Sequence, residues 1–298
     1  MAYGIGVLIT ERISVAVVSD HAISGVLRVN PEDSSIKDSL RGLPPEVIVQ
    51  RIVEEVRQLD LTKAPSHIGV GLPGIVRNGN IEDSPNLIQF KGTNMQALVS
   101  EAFRATFGKL PISIFNDADV MAAGIAATRG HLDRLIRVWT LGTGIGYGRY
   151  PFQAGFWEAG HSVVTLDPKE TFCGCGGKGH LEGIMGHRAM RLRFMDLEPD
   201  EVFAQAEAGE ARCVEFAKLW HRALAAATAT SIHLDGAGKF FITGPNARFL
   251  SLTLLGEYLH DMVKLSPLQG YSVEVVPGGE AVATIGAAVN AAQAAERA

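Results

Sequence analysis

The chain has 298 residues, 47% hydrophobic and 20% charged, the balance of a globular protein with core enough for one large or two medium domains. Its formal net charge of −5 speaks against a chain built to coat nucleic acid or an anionic membrane. Three cysteines (Cys173, Cys175, Cys213) make no disulfide framework, and no apolar run approaches the roughly 20 residues of a membrane span, so the chain reads as soluble and cytoplasmic.

In chain order, Tyr3–Ile9 and Ile13–Val18 read as a hairpin and His21–Val29 as a third strand. Glu11 and Arg12 interrupt the apolar start before a signal-peptide core can form. After Pro44–Pro45 a helix is expected to about Leu59, with Ile48, Ile52, Val56 and Leu59 on one face. "SHIGVGLPG" is a strand running into a Gly/Pro loop. A helix over Asn94–Phe107, a strand over Ile112–Phe115 and an alanine-rich helix over Ala118–Thr128 close the first half. The order then begins again. Leu135–Leu141 and Tyr147–Tyr150 flank "GTGIG", and His161–Leu166 can supply a third strand. Helices at Leu181–Phe194 and Ala211–Leu234, a strand at Lys239–Thr243, a helix at Ala247–Leu265, a strand at Ser272–Val276 and a helix at Ala281–Arg297 complete it. Two α/β units packed side by side would leave a cleft for ligands. The basic cluster Arg188, Arg191 and Arg193 sits at helical spacing and reads as a solvated helix face.

"TFCGCGGKGHLEG" carries the first chemical signal. A disulfide between positions i and i+2 is strained, and a thioredoxin-type pair needs two intervening residues rather than one. A zinc ion takes four N or S ligands, and His161-x11-Cys173-x-Cys175-x4-His180 can supply them. Asn116 and Asp117 follow a buried strand and open a helix. Taken alone they are helix caps, yet a carboxylate beyond the carboxyl end of a strand is also placed as a general base. "LGTGIGYG" lacks the lysine of a Walker loop and joins two strands. It is either a plain turn or a hairpin whose glycines and Thr143 offer N–H groups to phosphate. Glu158 and Glu182 flank the cysteine loop, either as solvated carboxylates or as acceptors for a polyol.

Together these motifs resemble the ROK family (repressors, uncharacterised frames and sugar kinases) of the actin/hexokinase-like ATPase superfamily, in the right order over nearly the whole length. "GVGLPGIV" is similar to the family's sugar loop, with Gly74, and "SPNLIQFKG" to its Pro-Asn-Leu segment, with Asn86. "FNDADVMAAG" is similar to its Asn-Asp-Ala motif, where the Asp is the catalytic base. "LGTGIGYG" resembles its second phosphate hairpin, and "WEAGH" with "CGCGGKGHLE" its sugar and zinc signature, His180 standing where the family usually has Cys.

The resemblance implies two ribonuclease H-like domains flanking a cleft, an α/β fold. The N-terminal domain would span 1–115, completed by the helix 281–298, and the C-terminal domain 116–280, with the zinc loop at 161–182. It implies Asp117 as catalytic base and Gly74, Asn86, Asn116, Asp117, Glu158, His161 and Glu182 around a sugar. Thr10, Gly142, Thr143, Gly144, Gly146 and Gly244 would face ATP, which brings Mg²⁺. A structural zinc would be held by His161, Cys173, Cys175 and His180. It also implies a homodimer that binds sugar and ATP and neither nucleic acid nor membrane, since the ATPase fold starts at Tyr3 and leaves no room for a helix-turn-helix. Two departures concern the nucleotide. The family's Asp-x-Gly-Gly-Thr is replaced by "LITER", with Leu8 in the place of the Asp and Glu11 near the expected phosphates, where Arg12 can offset it. Pro245 interrupts the adenosine motif in "FITGPNARF". The expected activity is transfer of the ATP γ-phosphate to a hexose or N-acetylhexosamine; the alternative is a sugar-binding pseudokinase.

Overall fold

Strand β1 (Tyr3–Ile9) is buried throughout and β2 (Ile13–Ser19) at all but its last position, as strands covered on both faces must be. A computed structural model describes residues 3–36, 38–155 and 157–297, so residues 1, 2, 37, 156 and 298 of the expected domains lie outside the described residues. The chain divides into two compact units: residues 1–136, 148–156 and 278–298, and residues 137–147 and 157–277.

In the first unit β3 (Ala22–Asn30), α1 (Pro45–Arg57), β4 (Ile68–Leu72), β5 (Ile75–Arg77), β6 (Asn80–Asp83), α2 (Met95–Phe107), β7 (Ile112–Asn116) and α3 (Asp117–Thr128) follow β2. The sheet order is β3-β2-β1-β4-β7, antiparallel from β3 to β1 and parallel from β1 to β7. Alternation sorts its two faces. Ile5, Val7 and Ile9 of β1, with Ile68, Val70 and Leu72 of β4, pack against Ile48, Ile52 and Val56 of α1 and Val99 and Phe103 of α2. The intervening positions are Gly6 and Leu8 in β1 and Gly69 and Gly71 in β4. A Cβ on Gly6 would lie 1.9 Å from the Thr284 carbonyl oxygen, and one on Gly69 1.8 Å from that of Ala287. The last helix of the chain, Glu280–Arg297, therefore lies backbone against backbone on β1 and β4. It also packs against α3, which the sequence reading grouped with the second domain.

The second unit holds β8 (Ile136–Leu141) and β9 (Ile145–Tyr150), whose end runs into the first unit. Helices α4 (Leu181–Met185), α5 (His187–Arg193), α6 (Pro199–Glu207) and α7 (Ala211–Asp235) follow, then β10 (Lys239–Thr243), α8 (Leu252–Met262) and β11 (Ser272–Val275); the closing helix Glu280–Arg297 is α9. The sheet order is β11-β10-β8-β9. Its core gathers Trp139, Leu141, Tyr147, Ile184, Trp220, Leu224, Phe240, Ile242 and Leu259. Arg137 is fully buried here. Its guanidinium donates to the Ser231 and Gly236 carbonyls near the end of α7 and stacks on Phe240, which lets a cation sit inside.

Several elements depart from expectation. His161–Leu166 forms no strand. The chain turns at Ala159–His161, and Val163 makes only a bridge to His180, because this segment belongs to the cysteine loop. Leu181–Phe194 is two helices, since Gly186 is extended (φ −64°, ψ 140°) and its Cα nests against the Thr143 carbonyl. Ala247–Leu265 is a short 3-10 turn at Pro245–Phe249 followed by α8, capped by Ser251. The β5–β6 hairpin and α6, with its Glu198/Glu201 capping box, were not anticipated. No helix among the described residues is long and apolar enough to cross a membrane.

Candidate functional site

In the first unit the parallel strands deliver their loops to one place. Asn116, the last residue of β7, caps α3 by accepting from the Ala118 N–H at 2.8 Å and donates from its amide to the Gly74 carbonyl at 2.9 Å. Asp117 is the first residue of α3, and one carboxylate oxygen also accepts from the Ala118 N–H at 2.9 Å. Gly74 has φ 129°, and a side chain there would run into the Asp83 carbonyl. Ser84 donates to the Pro73 carbonyl at 2.6 Å, pinning the loop that carries exposed Asn86 to the Gly74 loop. Gly74 and Asn116 are thus joined by a direct bond, and Asp117 shares the Ala118 N–H with Asn116. Asp119, two residues further along α3, is buried and accepts from the Arg149 N–H at 3.2 Å; its position inside a helix gave no signal in the sequence.

The turn between β1 and β2 is Thr10–Arg12, with Thr10 N–H on the Arg12 carbonyl at 2.9 Å. Leu8 is buried in an apolar cluster with Phe115, Val120, Ala283, Ala287 and Ala291. Arg12 does not stand ready to offset Glu11 as expected: its guanidinium forms a two-point ion pair with Glu280, at 2.9 and 2.7 Å, and also donates to the Glu32 carbonyl.

In the second unit the four expected ligands converge. One donor atom from each of His161, Cys173, Cys175 and His180 lies within 4.8 Å of the others. His161 Nδ1 is 3.3 Å from the Cys173 sulfur, the two sulfurs are 3.4 Å apart, and His180 Nδ1 is 3.2 Å from the Cys175 sulfur. Gly177 makes room for the ring of His180, which a Cβ would meet at 2.0 Å, so "GCGGKGH" is a loop shaped around its own ligands. Burial, reinforced by neighbouring Cys175 and Glu182, pushes the Cys173 thiol up to about 12. Two soft sulfurs and two ring nitrogens match the number and type of donors in a closed tetrahedral zinc site. His161 also turns Nε2 toward Glu158, 3.9 Å away. Although its side chain is half exposed, partial desolvation by the surrounding chain raises the Glu158 carboxyl above the ordinary range; His161 opposes this and the charge of Glu182 adds to it.

Glu182 does not point away from the hairpin. One oxygen accepts from the Ile145 N–H at 3.1 Å, and the other lies 3.7 Å from the Cys173 sulfur. The hairpin tip is fastened elsewhere too. Gly142 N–H donates to the Gly144 carbonyl, and the Gly142 carbonyl accepts from the His187 N–H and the Asn246 amide, each at 3.0 Å. Gly146 lies in β9. Gly244, at φ 97°, abuts the Leu141 carbonyl and sets the fully buried Asn246 in place. Asn246 and His187 were missed in the sequence; the Gly-Pro-Asn run at 244–246 was the available signal for the first.

The sequence profile of the ROK family matches residues 32–263. A glucokinase of Pyrobaculum calidifontis is 28% identical over 194 residues, 60% of this chain; the match spans 64% of that protein's length. Among solved structures, a ROK hexokinase from Thermus thermophilus superposes with a TM-score of 0.79 at 20% identity, covering 99% of this chain and all of the other. A ROK glucokinase from Streptomyces griseus, solved with glucose and AMPPNP, gives 0.69 at 21% identity, covering 98% and 100%. The fold is that of the actin/hexokinase-like ATPases. With the profile covering most of its length and the motifs in order, the chain belongs to the ROK family.

Proposed function

We propose that the protein is an ATP-dependent sugar kinase acting on a hexose or N-acetylhexosamine. The observation that carries the reading is Asp117 at the carboxyl end of β7, its loop tied by Asn116 to Gly74. In this reading Asp117 takes the proton of a sugar hydroxyl as that oxygen attacks the γ-phosphorus. The new O–P bond forms as the bond to the β-phosphate oxygen breaks, and ADP leaves. Glu158, His161 and Glu182, with Gly74, Asn86 and Asn116, hold the remaining hydroxyls. Thr10, Gly142, Thr143, Gly144, Gly146 and Gly244 line the path of the nucleotide. His161, Cys173, Cys175 and His180 would hold a zinc ion, which would supply a structural cross-link and so keep Glu158 and His161 in position. Magnesium arriving with ATP finds no oxygen ligand at Leu8, and none is assigned to it there. The family resemblance supports a cytoplasmic homodimer.

Replacing Asp117 by Asn tests the assignment: turnover should fall by about 10²–10⁴-fold with ATP affinity preserved, because a base acts in the transition state. A variant as fast as the parent refutes it. One observation favours a second reading. Leu8 is core, and Arg12 is committed to Glu280, so the first phosphate turn offers no carboxylate at position 8 and no free cation at position 12 to balance Glu11. That suits a sugar sensor without efficient ATP use. Hexose binding with no phosphorylated product at millimolar Mg·ATP would select it over the kinase.

A further inference from the structure

Segment 180–187 runs from the metal cluster to the hairpin in a single stiff step. His180, a cluster member, is the residue before α4. Leu181, Ile184 and Met185 of α4 are buried in the core of the second unit, so the helix cannot swing. At its far end Gly186 nests against the Thr143 carbonyl, and the His187 N–H holds the Gly142 carbonyl. Between these ends, Glu182 reaches both sides at once, with Oε2 on the Ile145 N–H and Oε1 beside the Cys173 sulfur. A Cβ on Gly144 would lie 2.5 Å from the same Oε2, so the carboxylate fills the floor of the hairpin.

We infer that Glu182 is a positioning residue: through its bond to the Ile145 N–H it transmits the geometry of the His161/Cys173/Cys175/His180 cluster to the Gly142–Ile145 hairpin, and so to the phosphate groups of the nucleotide. The inference rests on the kinase reading for what the hairpin binds, but not for the link itself. It gives Glu182 a task apart from holding a sugar hydroxyl. A sugar ligand would act on hexose affinity alone, whereas this link acts on the hairpin with or without sugar. It also explains why the cluster lies one short helix away from a glycine hairpin that has no metal ligand of its own. Reach, more than charge, decides the bond. Glutamine keeps an acceptor oxygen at the same distance, aspartate keeps the charge but falls one methylene short, and alanine removes both.

The test compares Glu182→Gln, Glu182→Asp and Glu182→Ala with the parent protein. Amide hydrogen exchange is read over residues 141–147, and binding of a non-hydrolysable ATP analogue with Mg²⁺ and of a hexose is measured by titration. Loss of a bond to a charged acceptor is expected to speed exchange at Ile145 and to weaken the analogue by about tenfold or more in the Asp and Ala variants. The Gln variant is expected to stay within about threefold of the parent in both readouts. Parent protein stripped of metal by a chelator is expected to show the fast Ile145 exchange of the Ala variant. Parent-like Ile145 exchange in the Asp and Ala variants, with losses confined to hexose affinity, overturns the inference and leaves Glu182 a sugar ligand only. Parent-like exchange in the stripped protein overturns the coupling to the cluster. If the parent binds no nucleotide, the kinase reading fails and the exchange measurements alone decide the link. If the Ala variant does not fold, the Asp and Gln pair decides it.

Discussion

Two helical glycines with no left-handed backbone to protect give opposite expectations on replacement by alanine. Gly286 is buried in α9, and a Cβ there would lie 1.7 Å from the Val120 carbonyl oxygen of α3 and 2.5 Å from the Gly124 nitrogen. The first distance is half of an ordinary 3.4 Å contact, and both partners are helix backbone, which has no rotamer to yield. α3 and α9 would have to part along a seam in which Gly124 meets the Val282 carbonyl just as closely. Helix propensity returns about 1 kcal/mol to any Gly→Ala change, while overpacking a tight interior typically costs 1–3 kcal/mol and more when backbone must move. Gly286→Ala should therefore lose about 2 kcal/mol or more net. Gly256 is exposed at the centre of α8 with nothing within 4 Å of its Cβ position, so Gly256→Ala should gain about 0.5–1 kcal/mol. Guanidinium unfolding of both variants beside the parent reads the two shifts. Because the residues sit in different units, separate transitions would each carry one shift. A Gly286→Ala protein as stable as the parent, or both variants moving the same way, would refute the argument that backbone contact governs this seam.

Metal analysis of purified protein is expected to find about one zinc per chain, and chelation to lower both melting temperature and hexose affinity; a metal-free protein whose Cys173 and Cys175 both react freely with a thiol reagent contradicts this. Burial lowers the pKa of His221, its bond to the Ala217 carbonyl opposing, and burial does the same to His67. A folded value below the ordinary 6.5 means the native state binds fewer protons than the unfolded chain, so the stability these groups contribute is complete above pH 6.5 and lost as pH falls below it. Protonated His221 would also turn a donor toward the Ser251 N–H that its Nε2 now accepts from at 2.8 Å. Unfolding free energy should thus decline from about pH 7 to 5.5, and less steeply after His221→Gln and His67→Gln; equal slopes in parent and variants would count against it. Leu8→Asp places a carboxylate among Phe115, Val120 and Ala287 and should cost about 3 kcal/mol or more. An unchanged unfolding midpoint would mean the position is open to water after all.

Much of the first unit was legible because its signals are local. "GIGV" and "IGVGL" alternate glycine with bulk, which fixes both the strands and the face on which a helix can come close. The cysteine loop was legible because its ligands fall within twenty residues of sequence, and Asn116 because capping is a neighbour-to-neighbour act. What stayed hidden depends on distant partners. Glu182 looked like a polyol acceptor until Ile145, 37 positions away, was found on its oxygen. Arg12 looked free until Glu280 arrived from the other end of the chain. His161–Leu166 has the apolar content of a strand, yet the loop that contains it is shaped by the convergence of His161 and His180 with the two cysteines. The break at Gly186 follows from a carbonyl of the hairpin, which no helical periodicity reports.

The glycine face of β1 and β4 has one further consequence, in the order in which a ribosome makes the chain. The strands of the sheet precede most of the second unit in the chain, but α9, which covers them, follows it. Residues 157–277 of the second unit emerge in between and can reach their own core while β1 and β4 still wait for their cover. Throughout that interval the growing chain presents a face of glycines and Leu8 that only the arrival of α9 covers.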